Sequence, residues 1–149
     1  MILQLLAMLL PGLMCGSERN VALFAHPTLN RQPLETHILV RSSFAALWRV
    51  MPFWMTASTL GNLLLLLPFA DFTSIAWRFA AISGGIQVCA VLFSLAAPVP
   101  INNRIARWTP GSLPAHWKTQ EHRWDQYDSL RTCGLVVAFA LLALSMGAR

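Results

Sequence analysis

The chain has 149 residues, of which 56% are hydrophobic and only 11% charged, with a formal net charge of +5. That length predicts one domain, and so apolar a composition argues against a soluble domain and for a membrane as the solvent. The positive balance suits anionic lipid headgroups and gives no reason to invoke nucleic acid.

Four uncharged runs, Met1–Ser17, Val50–Ala70, Phe79–Asn103 and Thr132–Ala148, approach or exceed the roughly 17–25 residues that cross a bilayer. Backbone polar groups in lipid need internal partners, so runs of this kind are expected as helices. The predicted fold is all-α: a four-helix transmembrane bundle forming a single membrane domain over residues 1–149, with spans at about 2–25, 50–70, 74–97 and 128–147.

Taken in chain order, helix 1 is predicted from Ile2 to His26, where Pro27 ends it. The first run lacks a positive n-region and has Gly12, Leu13 and Met14 before Cys15, where a processing site wants small side chains close to the cut, so a cleaved signal is not expected there. Cys15, Cys89 and Cys133 show no paired spacing and read as small buried hydrophobes. Residues 34–51 have apolar positions at helical spacing broken by His37, Arg41 and Arg49, which suggests an amphipathic helix leading into span 2, with Pro52 kinking the junction. The short connection "PFADF" makes spans 2 and 3 antiparallel neighbours. Ser83-Gly84-Gly85 in span 3 lets another helix approach closely, and Asn62 and Gln87 read as interhelical hydrogen bonds. After span 3, "INNRIARW" is expected as an interfacial helix or turn and "TPGSLP" as a loop. A helix resumes near Ala115 and carries Trp117, Glu121, Trp124 and Asp128 into span 4.

Arg31, Arg41, Arg49, Arg104, Arg107, Lys118 and Arg123 fall in the two connections that share a side, against little beyond Arg78 and Arg149 opposite. The positive-inside rule then puts both termini outside an integral membrane protein, in the cell membrane if the chain is bacterial.

Polar residues crowd into "PVPINNRIARW" (98–108) and "EHRWDQYDSLRT" (121–132), and Glu18 is a carboxylate inside an otherwise apolar helix, a position that normally faces a bundle interior or wet cavity. His26 has a side chain that titrates near neutrality and suits a general base, or simply lies at the interface. Helical spacing puts Glu121, Asp125 and Asp128 on one stripe and Trp124 and Arg131 on a neighbouring one. The stripe could bind a metal, pair with arginines, or do acid–base work; without an in-register histidine the metal reading is disfavoured.

"CGSERNVALFAHPTL", "RVMPFWM", "VPINNRIARW", Trp117 and "RWDQYDSLRT", in that order, resemble the membrane family called domain of unknown function 1772, the anthrone oxygenase-like proteins. The resemblance implies a four-helix membrane protein that oxidises a lipophilic aromatic or phenolic substrate with dioxygen and has no obvious cofactor or metal. It points to Glu18, His26, Asp125 and Asp128 as catalytic, and to Asn102, Asn103, Arg123, Trp124 and Arg131 as substrate-binding. A base such as His26 or Glu18 would remove a C–H proton, and Arg123 or Arg131 with Asn103 would stabilise the oxyanion. At Asp128 the chain departs from the family pattern, where a histidine is common. The partners expected are the bilayer and a lipophilic small molecule, with homo-oligomerisation open. A transport component or a structural partner subunit remains the alternative.

Overall fold

The computed structural model describes residues 2–64 and 72–148, and the described residues are almost entirely helical. In chain order they form α1 (Ile2–Asn20), a π turn (Val21–Ala25), α2 (His26–Leu29), α3 (Leu34–Leu47), a 3-10 turn (Trp48–Val50), α4 (Met51–Leu64), α5 (Ile75–Ala96), α6 (Pro98–Ile105) and α7 (Trp117–Gly147).

The first helix does not stop at Pro27. The His26 N–H bonds back to Val21 O, five residues earlier, and helix continues through Leu29. In a regular α-helix the proline ring would meet the carbonyl four residues before it; a widened turn just ahead of Pro27 relieves that contact. Pro52 sits in the first turn of α4, after the 3-10 turn that separates α3 from α4. The predicted second span runs past Leu64 into residues outside the described ones, as does most of "PFADF".

α5 packs on α4 and α7, and α1 packs on the same two helices, so the four close into a ring. Inside the ring the buried side chains are notably polar: Ser58, Thr59, Asn62, Ser83, Gln87 and Ser145. Ser83 is their hub. It accepts hydrogen bonds from Asn62 Nδ2 (3.0 Å) and Gln87 Nε2 (3.4 Å) and donates to Ala138 O (2.7 Å), which ties α4, α5 and α7 together. Asn62 therefore makes the expected interhelical bond, whereas Gln87 bonds within its own helix. Gly84 is the close-approach position, since a Cβ there would lie 3.0 Å from Leu63 Cδ2, while Gly85 faces open space.

The outside of the ring carries Leu13, Leu60, Leu92, Leu95, Val137 and Leu144, all more than half exposed. α5 and α7 are long and apolar enough to cross a membrane, and only 33% of each apolar window is buried, unlike the core helix of a soluble protein. Cys89 and Cys133 join this outer surface, contrary to the expectation that all three cysteines are buried; a thiol is apolar enough to face the same surroundings as leucine.

One end of the ring is capped by α2, α3, α6 and the loop before α7. Ile38, Ala45, Ile101, Ile105, Trp108 and Trp124 form the cap's core. α3 buries His37 and Arg41 with Ile38 and Ala45 and exposes Leu34, Leu39, Phe44 and Leu47. The 31-residue α7 serves both layers: at 1.5 Å per residue it is about 46 Å long, more than a bilayer core needs. Thr132 apart, its buried positions, Glu121, Trp124, Asp128, Arg131, Leu135, Ala138, Leu142 and Ser145, follow alternating steps of three and four. A single seam thus runs from the charged cap into the apolar ring.

Candidate functional site

The α7 seam organises two charge clusters. The inner one lies where ring meets cap. Arg131 donates from Nη2 to Asp128 Oδ1 at 2.5 Å and, from the same nitrogen, to Glu18 Oε2 of α1. All three side chains are buried, with Glu18 at 2% and Asp128 at 1% exposure. Each carboxylate keeps one oxygen without a hydrogen-bond partner, as does Arg131 Nε. Glu18 and Arg131 therefore meet as a buried polar pair at the start of the apolar part of α7.

The outer cluster belongs to the cap, and Arg41 is its centre. Its guanidinium donates to His26 Nε2 (2.7 Å) and Asp125 Oδ1 (2.8 Å), lies 3.2 Å from Glu121 Oε1 through Nε, and stacks 4.4 Å over the Trp124 ring. Arginine can only donate, so His26 Nε2 must be an acceptor, leaving the Nδ1 proton for Asp125 Oδ1 at 3.2 Å. The tautomer follows from the partners. With both ring nitrogens engaged, His26 has no free lone pair for a substrate proton. The base expected at His26 would need a free ring nitrogen, and in this arrangement both are engaged. His37 places Nδ1 against Leu29 O (3.0 Å) and Nε2 against Glu121 Oε1 (2.8 Å), the pattern of an imidazolium between two acceptors. Arg41 and imidazolium His37 then balance Glu121 and Asp125.

Asp125 precedes the apolar run of α7. Burial works against its charge, but the His26 N–H and the Arg41 guanidinium outweigh that cost and hold its carboxyl below the usual carboxylate range.

The stripe of Glu121, Asp125 and Asp128 is divided among these partners. Trp124 and Arg131 share the buried seam with Glu121 and Asp128, and Asp125 sits at its edge, because the seam advances by alternating threes and fours. Among the described residues no group of three His, Cys, Asp or Glu side chains is placed to hold a metal. Asn102 is buried and donates to Ala45 O (2.8 Å), fastening α6 to α3. Asn103 and Arg123 are exposed, one helical step away from Asn102 and Trp124, so neither is turned into either cluster. Arg41 and His37 are the residues that the sequence expectations left out of the site, while Glu121 entered them only as part of the α7 stripe. Their signal was the i, i+4 pair His37/Arg41 on the same face as Ile38 and Ala45.

Between the clusters, Trp48 stacks on Trp124 with centroids 5.3 Å apart. These rings, with Met51, Met55, Asn102 and Arg131, line a cavity of about 20 Å³. That is room for a guest the size of one water. Trp124 Nε1 and Arg131 Nε are buried donors without partners, so two lining residues each hold an uncommitted N–H. A second feature, a groove of about 400 Å³, runs between α1 with its π turn and α7, past Arg19, Leu23, Thr132, Cys133 and Val136.

Removing Arg41 takes the guanidinium from buried Glu121 and part-buried Asp125. Arg41→Met is expected to lower the unfolding free energy by about 3–5 kcal/mol, and Arg41→Lys to recover only part of it, because an ammonium cannot make three directed contacts and a stack. In acid the sign follows from the lowered carboxyl of Asp125. Its contribution is present above the unfolded pKa of about 3.9 and is lost as the pH falls through the lower folded value. Unfolding curves from pH 7 to pH 2 should show that loss in the wild type and not in Asp125→Asn; equal acid sensitivity of the two would refute the assignment.

A family model described as anthrone oxygenase matches residues 41–141, which takes in Arg41, both tryptophans of the stack and the whole charged part of α7, while Glu18 and His26 precede the matched stretch. Comparison with curated proteins finds no match, and neither does comparison with solved structures. With two thirds of its length matched, the chain belongs to the anthrone oxygenase family.

Proposed function

We propose that this protein is an integral membrane oxidoreductase that oxidises a flat, lipophilic carbon acid of the anthrone type with dioxygen at the Glu18–Arg131–Asp128 cluster. The observation that carries this reading is the coincidence, in a chain of this family, of two buried carboxylates sharing one guanidinium nitrogen with a cavity sized for one small molecule beside it.

The membrane arrangement comes first. The apolar exterior and polar interior of the ring support four spans, with α1 and α4 joining α5 and α7, in one membrane domain. Six exposed cations, Arg31, Arg49, Arg104, Arg107, Lys118 and Arg123, lie in the cap, and this supports a cytoplasmic cap with both termini outside. Arg41 no longer counts toward that balance, since its charge is spent inside the cap. In a variant whose native cysteines are replaced, a cysteine introduced at the exposed Ser112 is expected to resist an impermeant thiol reagent in intact cells; labelling from outside would invert the orientation.

The chemistry follows from charge. Two carboxylates and one guanidinium leave one negative charge uncompensated when the pair carries no proton, and an uncompensated buried charge is costly. Accepting a proton neutralises the cluster. Glu18 Oε1 and Asp128 Oδ2, the uncommitted oxygens, are the atoms for this role. The methylene of an anthrone, flanked by two arenes, gives up a proton to form a delocalised anion. That anion passes one electron to dioxygen, and the resulting radical pair joins through a new C–O bond to give a hydroperoxide anion, which recovers a proton from the carboxyl pair. Loss of the second methylene proton then breaks the O–O bond, forms the carbonyl and releases water. Dioxygen takes four electrons in all, with one atom in the quinone and one in water. Arg131 Nε–H and Trp124 Nε1–H are the donors available to reduced oxygen species in the small cavity. Arg41, His26 and Asp125 are positioning residues, holding Trp124 against Trp48 at the cavity wall.

With purified protein and anthrone, oxygen uptake and quinone formation should be seen in the wild type and fall by at least about 100-fold in Glu18→Gln and Arg131→Lys. Arg123→Ala, at an exposed position, should keep the rate. Full activity in Glu18→Gln would remove the cluster from the reaction. No uptake by the wild type would turn the reading toward a transport component or a structural partner.

A further inference from the structure

The cavity at Arg131 is far too small for a fused-ring substrate, so the substrate's rings must lie elsewhere against the same cluster. We propose that they lie in the groove between α1 and α7, reached sideways from the bilayer, with the substrate's acidic oxygen toward Thr132 and Arg19. This rests on the oxidation reading above and adds to it a site and a route.

Three observations carry it. First, the groove's volume, about 400 Å³, is within the roughly 300–1,000 Å³ of small-molecule pockets, and its walls are mainly apolar: Ala22 and Leu23 of the π turn on one side, Val136 and its neighbours on the other. Secondly, its polar features are few and uncommitted. Thr132 is only 6% exposed, lines the groove, and has a buried hydroxyl with no hydrogen-bond partner. A buried hydroxyl left unpaired is costly, and a phenol or enol oxygen in the groove would relieve it. Arg19 is exposed, with no ion pair among the described residues, and suits a phenolate by charge or an aromatic face by stacking. Thirdly, the groove runs beside the proton-handling residues. Arg19, Ser129 and Thr132, which line it, each directly follow Glu18, Asp128 and Arg131 in the chain. One residue is a 100° step around a helix. The groove's polar residues therefore sit on helix faces adjoining the cluster, with the small cavity at Arg131 serving dioxygen.

Cys133 lines this groove and is exposed, while Cys89 is exposed on α5. The test is alkylation of purified protein by N-ethylmaleimide, followed residue by residue in the mass spectrometer, with and without anthrone under anaerobic conditions so that no turnover occurs. Anthrone is expected to slow modification of Cys133 several-fold and leave Cys89 unchanged. Val136→Trp, or Leu23→Trp from the opposite wall, should abolish that protection and raise KM for anthrone with kcat little altered. Aerobic turnover by the wild type without protection of Cys133, and with KM unmoved in both tryptophan variants, overturns the groove and leaves the oxidation reading standing. Protection without turnover keeps the groove as an aromatic site and discards the oxidation. Neither protection nor turnover discards both.

Discussion

Arg131 is one buried cation facing two buried carboxylates, and much of the arrangement answers to that imbalance. A guanidinium withdrawn from water needs anionic partners, and here one nitrogen holds Asp128, a turn earlier on α7, and Glu18 from α1. The bond to Glu18 draws the polar end of α1 onto α7 just where the π turn begins. It also creates a site with an unsatisfied requirement, because the second carboxylate is balanced only by a proton. A structural ion pair would be better served by one acid and one base. Two acids on one base leave an uncommitted oxygen each, and it is to these oxygens that the proposed reaction gives the proton.

The cap cluster is balanced where the inner one is not. Arg41 and His37 oppose Glu121 and Asp125, and Arg41 lies flat on Trp124, whose other neighbour is Trp48. The consequence falls at one wall of the small cavity: Trp124 is held by a charged network on the cap side and lines the cavity together with Arg131. On the proposed reading the outer cluster positions Trp124 and the inner one transfers the proton. It also explains why a histidine that looked like a base is occupied on both nitrogens. The π turn beside it continues the helix past Pro27 and thereby brings Leu29 O to His37.

How much of this could be read in the sequence depended on the kind of pattern involved. Runs of uncharged residues exposed α5 and the apolar end of α7 because length and hydropathy act additively along the chain. Glu18 was legible because a carboxylate has few comfortable places in an apolar helix. Arg41 and His37 were not legible as site residues, since an amphipathic pattern does not say which face turns inward, and here a layer of tryptophans makes the polar face the buried one. Asn103 and Arg123 were attractive by neighbourhood and fell on exposed faces, one step of 100° from the residues that matter. The stripe on α7 failed for a similar reason: Asp125 is a buried acid's neighbour in sequence and another cluster's member in space. The helix past Pro27 was missed because a proline stop rule has no means of seeing a widened turn.

The most direct measurement is a double-mutant cycle on unfolding free energy between Glu18→Gln and Arg131→Met. If Arg131 is the joint that docks α1 and organises the inner cluster, the two losses will be strongly non-additive, with a coupling energy above about 1 kcal/mol. Additivity within about 0.5 kcal/mol would mean that the two side chains act independently, and the account of a shared, proton-handling cluster would be contradicted.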